Sequence, residues 1–478
     1  MQWAEFPVLS LRDKGRVPLR VNSLACYNFP SSNSHHLSRD QPASMSEKTT
    51  VVIHPAKNIE GGIRLPGDKS ISHRYAMLGA LAEGTTRLDN FSTGKDCAST
   101  LECLRELGCR CETTRKGETL SVEIQGMGMN LRAPGNPLNC GNSGSTIRMM
   151  SGILAGQPFE SELIGDESLS RRPMARVMKP LAEMGASITS AEGNRPPLRI
   201  HGAKLHGIDY SMPVASAQVE ACLLFAGLFA EGETVVRSAI RTRDHSELAL
   251  RAFGVEVTRN LGEVRIHGGQ RLRAIEGGVP GDISSAAFFL CAAALFPGSQ
   301  LAIDSLGLNP TRARLLDFLV QLGVKIRVTQ LEELNGELVG TVQAEGAPLK
   351  GCKISGGDTA ALIDEIPILA AIAPYTSDGI EIRNAGELRV KESDRITSIV
   401  GNLRAMGAEV EEFPDGLRIP GGQTLHGASI DSFDDHRIAM AFAVAGLRAQ
   451  GETQIDGAEC ASISFPGFFD LLESLVRR

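Results

Sequence analysis

The chain has 478 residues, 42% hydrophobic and 22% charged, a globular composition long enough for two domains or more. A formal net charge of −7 argues against a nucleic-acid-binding surface, and no apolar run spans a membrane without interruption. The ten cysteines are scattered without a Cys-x-x-Cys pair, which predicts buried, reduced thiols.

Residues 1–44 hold the only Trp, carry no repeating apolar pattern and end Ser/Asn/His-rich. Two readings are open: a transit segment, or sequence upstream of a start at Met45. The second is favoured because MSEKTTVVIHP resembles a natural start to a first strand. Either way residues 1–45 are expected as a poorly ordered extension outside the fold.

From there one unit repeats six times. A polar loop leads into an apolar helix rich in small residues, then a Gly-containing turn, a strand, and a second helix usually ending in a Leu/Met/Phe-Gly-small triplet. The copies open at GDKSISHRYAMLGALAEG, NSGSTIRMMSGILAG, ASAQVEACLLFAGLFAEG, GDISSAAFFLCAAALFPG, IDEIPILAAIAPYTSDG and DDHRIAMAFAVAGLRAQG. The spacing of roughly 70 residues exceeds that of solenoid repeats, so duplicated αβ units are expected. The glycines after the first helices (Gly84, Gly156, Gly232, Gly298, Gly379, Gly451) suit left-handed C-caps, as do Gly108, Gly185, Gly254, Gly323 and Gly407 after the second. ACLLFAGLFA and AAFFLCAAALF are apolar on nearly every face and are expected to be buried all round, whereas TTRLDNF and GLRIPG alternate as half-wet strands do. Helices inside and sheets outside follow. Parallel inner helices would gather their N-termini, with their N–H donors and positive dipole ends, at one end of each half.

The loops ahead of the six helices carry polar and charged groups at equivalent places. They supply Asp68, Lys69, Ser70 and Arg74, then Asn142 to Ser145 with Arg148, then Ser216, Ala217 and Gln218. Asp282, Asp364 with Glu365, and Asp434 to Arg437 follow. Between them lie SRRP, TRDH and RVKESDR, where cations outnumber anions although the chain is acidic. Singly, Asp68, Ser70, Ser145 and Asp435 read as N-caps, and Arg389 to Arg395 as a charged helix face. Their recurrence points instead to a cleft for a multiply anionic substrate, held by Arg forks and helix N-termini.

The strings LPGDKSISHR, GNSGSTIR, SRRPM, ASAQ, TRDH, IDEIPILA, LRVKESDR and DDHRIAM occur together and in order. On them the chain from about Met45 to its end resembles the 5-enolpyruvylshikimate-3-phosphate synthase family, enolpyruvyl transferases of the shikimate pathway. TRDHS, GDKS and NPTR resemble its bacterial subgroup. The resemblance implies a two-domain inside-out α/β barrel of six βαβαββ units, three per domain. The implied bounds are 67–279 for one domain, and 46–66 with 280–478 for the other, with hinges at both crossings.

The implied reaction joins shikimate 3-phosphate and phosphoenolpyruvate. By position, Asp364 resembles the acceptor of the hydroxyl proton, and Glu392 with Lys69 the groups acting at C3 and at the leaving phosphate. Lys69, Ser70, Arg74, Ser216, Ala217, Gln218, Arg243, Asp364 and Lys391 resemble the shikimate 3-phosphate contacts. Lys69, Gly144, Arg172, Gln218, Arg395 and Arg437 resemble those of phosphoenolpyruvate, and Gly144 favours glyphosate binding. Neither cofactor nor metal is implied, and a cytoplasmic monomer is expected. Glu220 and Ile463 depart from the pattern, since relatives carry Lys at these places. Two rivals stay open: a UDP-N-acetylglucosamine enolpyruvyl transferase, against which the missing loop Cys speaks, and a non-catalytic anion binder of the same fold.

Overall fold

The computed structural model describes residues 49–478, so the reading of residues 1–45 lies outside the described part. Six inner helices occupy Lys69–Leu81, Gly144–Ala155, Ala217–Gly227, Ile283–Ala294, Ile366–Ile372 and His436–Gly446. Their small and apolar side chains leave no polar face, so water can be excluded from all sides. All of Ile283–Ala294 is buried. Phe288 there meets Phe468 edge-on and Phe289 lies tilted against Phe465 and Phe468, each contributing about 1.5–3 kcal/mol of burial. The fifth helix is short and passes into a 3-10 turn, Ala373–Tyr375, where Pro374 has no N–H to continue it.

The second helices, such as Lys95–Glu106 and Arg395–Ala405, lie further out, each with one buried stripe. Among the described residues, six sheets of three to five strands form the outer layer, with one further two-stranded pair, Leu272–Arg273 beside Ala82–Glu83. Within the second unit, Leu138–Asn139 pairs parallel with Glu160–Ile164, which pairs antiparallel with Arg195–His201 and so on to Ser187–Ala191. The chain crosses over to close this pattern elsewhere. Glu276–Gly278 supplies the parallel strand beside Thr85–Phe91, Asn58–Arg64 the one beside Gln300–Gly307, and Thr50–Ile53 pairs with Thr453–Asp456. The apolar residues form two separate cores, one running from Ile71 to Val279, the other joining Ile53, Ile59 and Leu65 to residues from Ile283 onward.

Helix backbones inside the first core touch. A Cβ on Gly152 would fall 2.0 Å from the Cys222 carbonyl, so only Gly lets the second and third inner helices approach so closely. Gly156 departs from expectation: its φ is −92°, not left-handed. Its reason is space, since a Cβ there would fall 2.4 Å from Phe229. The described cysteines are free; eight are buried and Cys352 is half-buried. Among the described residues no helix is long and apolar enough to cross a membrane, and no cluster of His, Cys, Asp or Glu is placed to hold a metal ion.

Candidate active site

The N-termini of the inner helices converge. In the first half the caps are Asp68, Ser143 and Ser216, whose side chains accept from Ile71 N at 2.9 Å, Thr146 N at 3.1 Å and Val219 N at 3.4 Å. Ser70 and Ser145, read as caps from sequence, are not: the caps, Asp68 and Ser143, stand two residues earlier, and Ser145 Oγ instead accepts from Gln218 Nε2 at 2.9 Å. Arg148 donates to Gln218 Oε1 at 2.8 Å, and Arg74 to the Ala217 carbonyl at 3.4 Å, so these three ends are tied to one another. In the second half, Asp282 and Asp435 are the caps, and Glu365 precedes the fifth helix. Arg437 donates to the Asp364 carbonyl at 2.6 Å and to Ser284 Oγ at 3.4 Å.

The two sets of ends face each other. Arg172 meets Glu392 at 3.3 Å, Arg176 meets Glu387 at 2.7 Å, and Arg243 pairs with Asp364. Lys391 stands 3.7 Å from the same Asp364 carboxylate. Arg395, 1% exposed, is the centre of the charge cluster, donating to Asp435 at 2.8 Å and to Glu392 at 2.6 Å. Arg172 also donates to Asn142 at 2.9 Å and Ser168 at 3.2 Å.

Burial alone would raise the Asp364 carboxyl, but Arg243, Lys391 and Arg437 hold it well below the ordinary carboxylate range. Glu392 behaves alike: burial is outweighed by Arg395 and Arg172. Burial also opposes the charge on Lys69, yet its 2.9 Å ion pair with Asp96 keeps the ammonium above its ordinary pKa. His436 is pushed down to about 3 by burial and by Lys69, and neither ring nitrogen has a protein partner among the described residues. Arg74 and Arg148 are lowered to about 10 by burial.

Of the residues singled out from sequence, Lys69, Arg74, Gly144, Arg172, Ser216, Ala217, Gln218, Arg243, Asp364, Lys391, Glu392, Arg395 and Arg437 line these converging ends. A Cβ on Gly144 would fall 2.8 Å from Arg148 Nη1 and 3.2 Å from Arg172 Nη1, so Gly there leaves room beside two cations. Ser70 sits in the first turn, its carbonyl taking Arg74 Nη1 at 2.9 Å. Arg389 stays outside, paired with Asp394 and Glu412 at 2.9 Å each.

Sequence reasoning missed Asp96 and Arg312. Asp96 reads as an ordinary acid in the first turn of a surface helix; only that helix's packing beside the first inner helix brings it to Lys69. Arg312, in NPTR, is 3% exposed and reaches Ser284 at 2.5 Å. The two departures are accommodated differently. Glu220 is buried and pairs with Arg259 at 2.9 Å, which also holds Glu247. Ile463 packs against the second core, and its carbonyl lies 2.8 Å from where a Cβ on Gly94 would stand.

A sequence model of the family described as EPSP synthase (3-phosphoshikimate 1-carboxyvinyltransferase) matches residues 53–472. The 3-phosphoshikimate 1-carboxyvinyltransferase of Koribacter versatilis is 61% identical over 90% of this chain and all of the relative. That of Solibacter usitatus is 58% identical over 89% and 99%. A solved structure of EPSP synthase from Acinetobacter baumannii superimposes with a TM-score of 0.80 at 40% identity, covering 90% of this chain and 98% of the other. Matched by the family's sequence model over most of its length and by relatives 58% and 61% identical, the chain belongs to the EPSP synthase family.

Proposed function

We propose that this cleft carries out its family's reaction: the enolpyruvyl group of phosphoenolpyruvate passes to the 5-hydroxyl of shikimate 3-phosphate, and phosphate leaves. The observation that carries the reading is the pair of buried carboxylates, Asp364 and Glu392, held ionised inside a ring of Arg and Lys at the helix N-termini. An anion binder has use for the cations but none for carboxylates that weaken its hold on anions.

Asp364 accepts the hydroxyl proton as that oxygen bonds to C2 of phosphoenolpyruvate, while C3 takes a proton. The C2–O bond to phosphate then breaks, a C3 proton is removed, and the double bond re-forms. In the free cleft Lys69 carries a proton and Glu392 does not, which suits Lys69 as donor to C3 and Glu392 as acceptor on the return. Asp364 is a weak base while bare cations surround it. Two phosphoanions bound to Arg243, Lys391, Arg437 and their neighbours would offset that charge and raise its basicity.

Shikimate 3-phosphate fits Lys69, Ser70, Arg74, Ser216, Ala217, Gln218, Arg243, Asp364 and Lys391. Phosphoenolpyruvate fits Lys69, Gly144, Arg172, Gln218, Arg395 and Arg437, a subsite that also suits glyphosate. The two apolar cores support domains of residues 67–279, and of 46–66 with 280–478. A hinge at both crossings would let the cleft close and exclude water. Monomeric action in the cytoplasm completes the proposal. The test follows phosphate release with each substrate omitted in turn. Release only with both present is expected; release with phosphoenolpyruvate alone, or none from folded protein with both, refutes it.

A further inference from the structure

Arg312 stands just ahead of the outer helix Arg314–Gln321, and its side chain turns inward beneath the reaction centre. Its Nη2 donates to Ser284 Oγ at 2.5 Å and lies 3.5 Å from Glu365 Oε1. The Ser284 hydroxyl is a junction: it also accepts from Arg437 Nη2 at 3.4 Å and donates to Glu365. Arg437 in turn holds the Asp364 carbonyl. One buried cation and one hydroxyl thus fix both the Asp364–Glu365 turn and the guanidinium of Arg437. Asp68 and Asp282, the caps of the first and fourth inner helices, face the same cation.

We infer that Arg312 is a positioning residue for the reaction, acting through Ser284 on Arg437 and on the Asp364–Glu365 turn without touching substrate. The inference rests on the functional reading above. Stability alone is a poor reason for the arrangement. Buried ion clusters are often matched or bettered by apolar packing, and Arg312 Nε and Nη1 have no partner among the described residues. A planar, permanently charged fork reaches Ser284 and Glu365 with one nitrogen, which a Lys ammonium at the end of a flexible stem does not reproduce.

The experiment compares steady-state kinetics of the full chain with Ser284→Ala, Arg312→Lys and the double variant. Ser284→Ala is expected to raise KM for phosphoenolpyruvate about three- to tenfold and to lower kcat, with KM for shikimate 3-phosphate within about twofold. Arg312→Lys shifts the same constants further. The double variant falls within about twofold of Arg312→Lys, because both substitutions break one network. An active wild type beside a Ser284→Ala variant with unaltered constants overturns this inference alone. So do effects that multiply in the double variant. A folded wild type that releases no phosphate overturns the functional reading, and this inference with it.

Discussion

The inner-helix ends of the first half differ from those of the second. Two of the first three are capped by serines, Ser143 and Ser216, and Lys69, Arg74, Arg148 and Arg172 gather around them. Two of the second three are capped by aspartates, Asp282 and Asp435, with Asp364 and Glu365 at the remaining end. A neutral cap satisfies one N–H and leaves the dipole's positive field open to a bound anion, whereas an aspartate cap consumes part of it. The second half therefore carries the more acidic ends, and its Asp364 and Glu392 pair with Arg243 and Arg172 of the first half; in the proposed reaction these two carboxylates take up protons. The same fold unit, used twice, differs in the charge of its caps: serines at two ends of the first half, aspartates at two ends of the second.

Neutralising the acid–base side breaks the comparison most sharply. Asp364→Asn is expected to lower kcat by about a hundredfold or more, within the range set by removing a general base, with the thermal melt retained. Steady-state phosphate release checks it, and an unchanged kcat would remove Asp364 as the base. On the capture side, Arg172→Ala is expected to raise KM for phosphoenolpyruvate more than about tenfold and to leave KM for shikimate 3-phosphate within about twofold. Equal effects on both would unseat that assignment.

Gly144→Ala is gentler. The added Cβ meets only the far ends of Arg148 and Arg172, which can swing away, so KM for phosphoenolpyruvate should rise a few-fold, roughly threefold to tenfold. Inhibition by glyphosate should weaken in parallel; inhibition that is unaltered while KM rises would separate the two ligands.

The smallest effect concerns Glu220. Burial, with Glu247 close by, pushes its carboxyl up to about 8 from 4.5. Between those values the unfolded chain has released a proton that the folded chain keeps, so raising pH lowers stability across that window. The contribution is full below pH 4.5 and is lost as pH passes 8. Glu220→Gln should flatten this slope: the drop in Tm between pH 5 and about pH 8 becomes smaller than in wild type. Parallel profiles would show that Arg259 keeps Glu220 ionised.

Much of this was legible in the chain. A helix such as AAFFLCAAALF has no polar face, so its place inside followed from composition alone. Polar residues recurring ahead of six such helices marked the cleft, because helix N-termini that meet must share whatever their loops present. Short-range geometry was less legible: Ser143 and Ser145 are both good caps, and which one caps depends on where the backbone leaves the loop. Gly156 was assigned a backbone role, yet its neighbour Phe229 decides its identity.

The sequence by itself determined the repeat, the inward helices and the residues at their ends, since these depend on periodicity and on the chemistry of single side chains. Only the tertiary structure decided the pairings. Lys69 with Asp96, Arg243 with Asp364, Arg172 with Glu392 and Arg312 with Ser284 join residues 27, 121, 220 and 28 positions apart. No local rule reaches across such distances: Lys69 with Asp96 and Arg312 with Ser284 are set by packing within one half, the other two where the halves meet and buried charges must find partners.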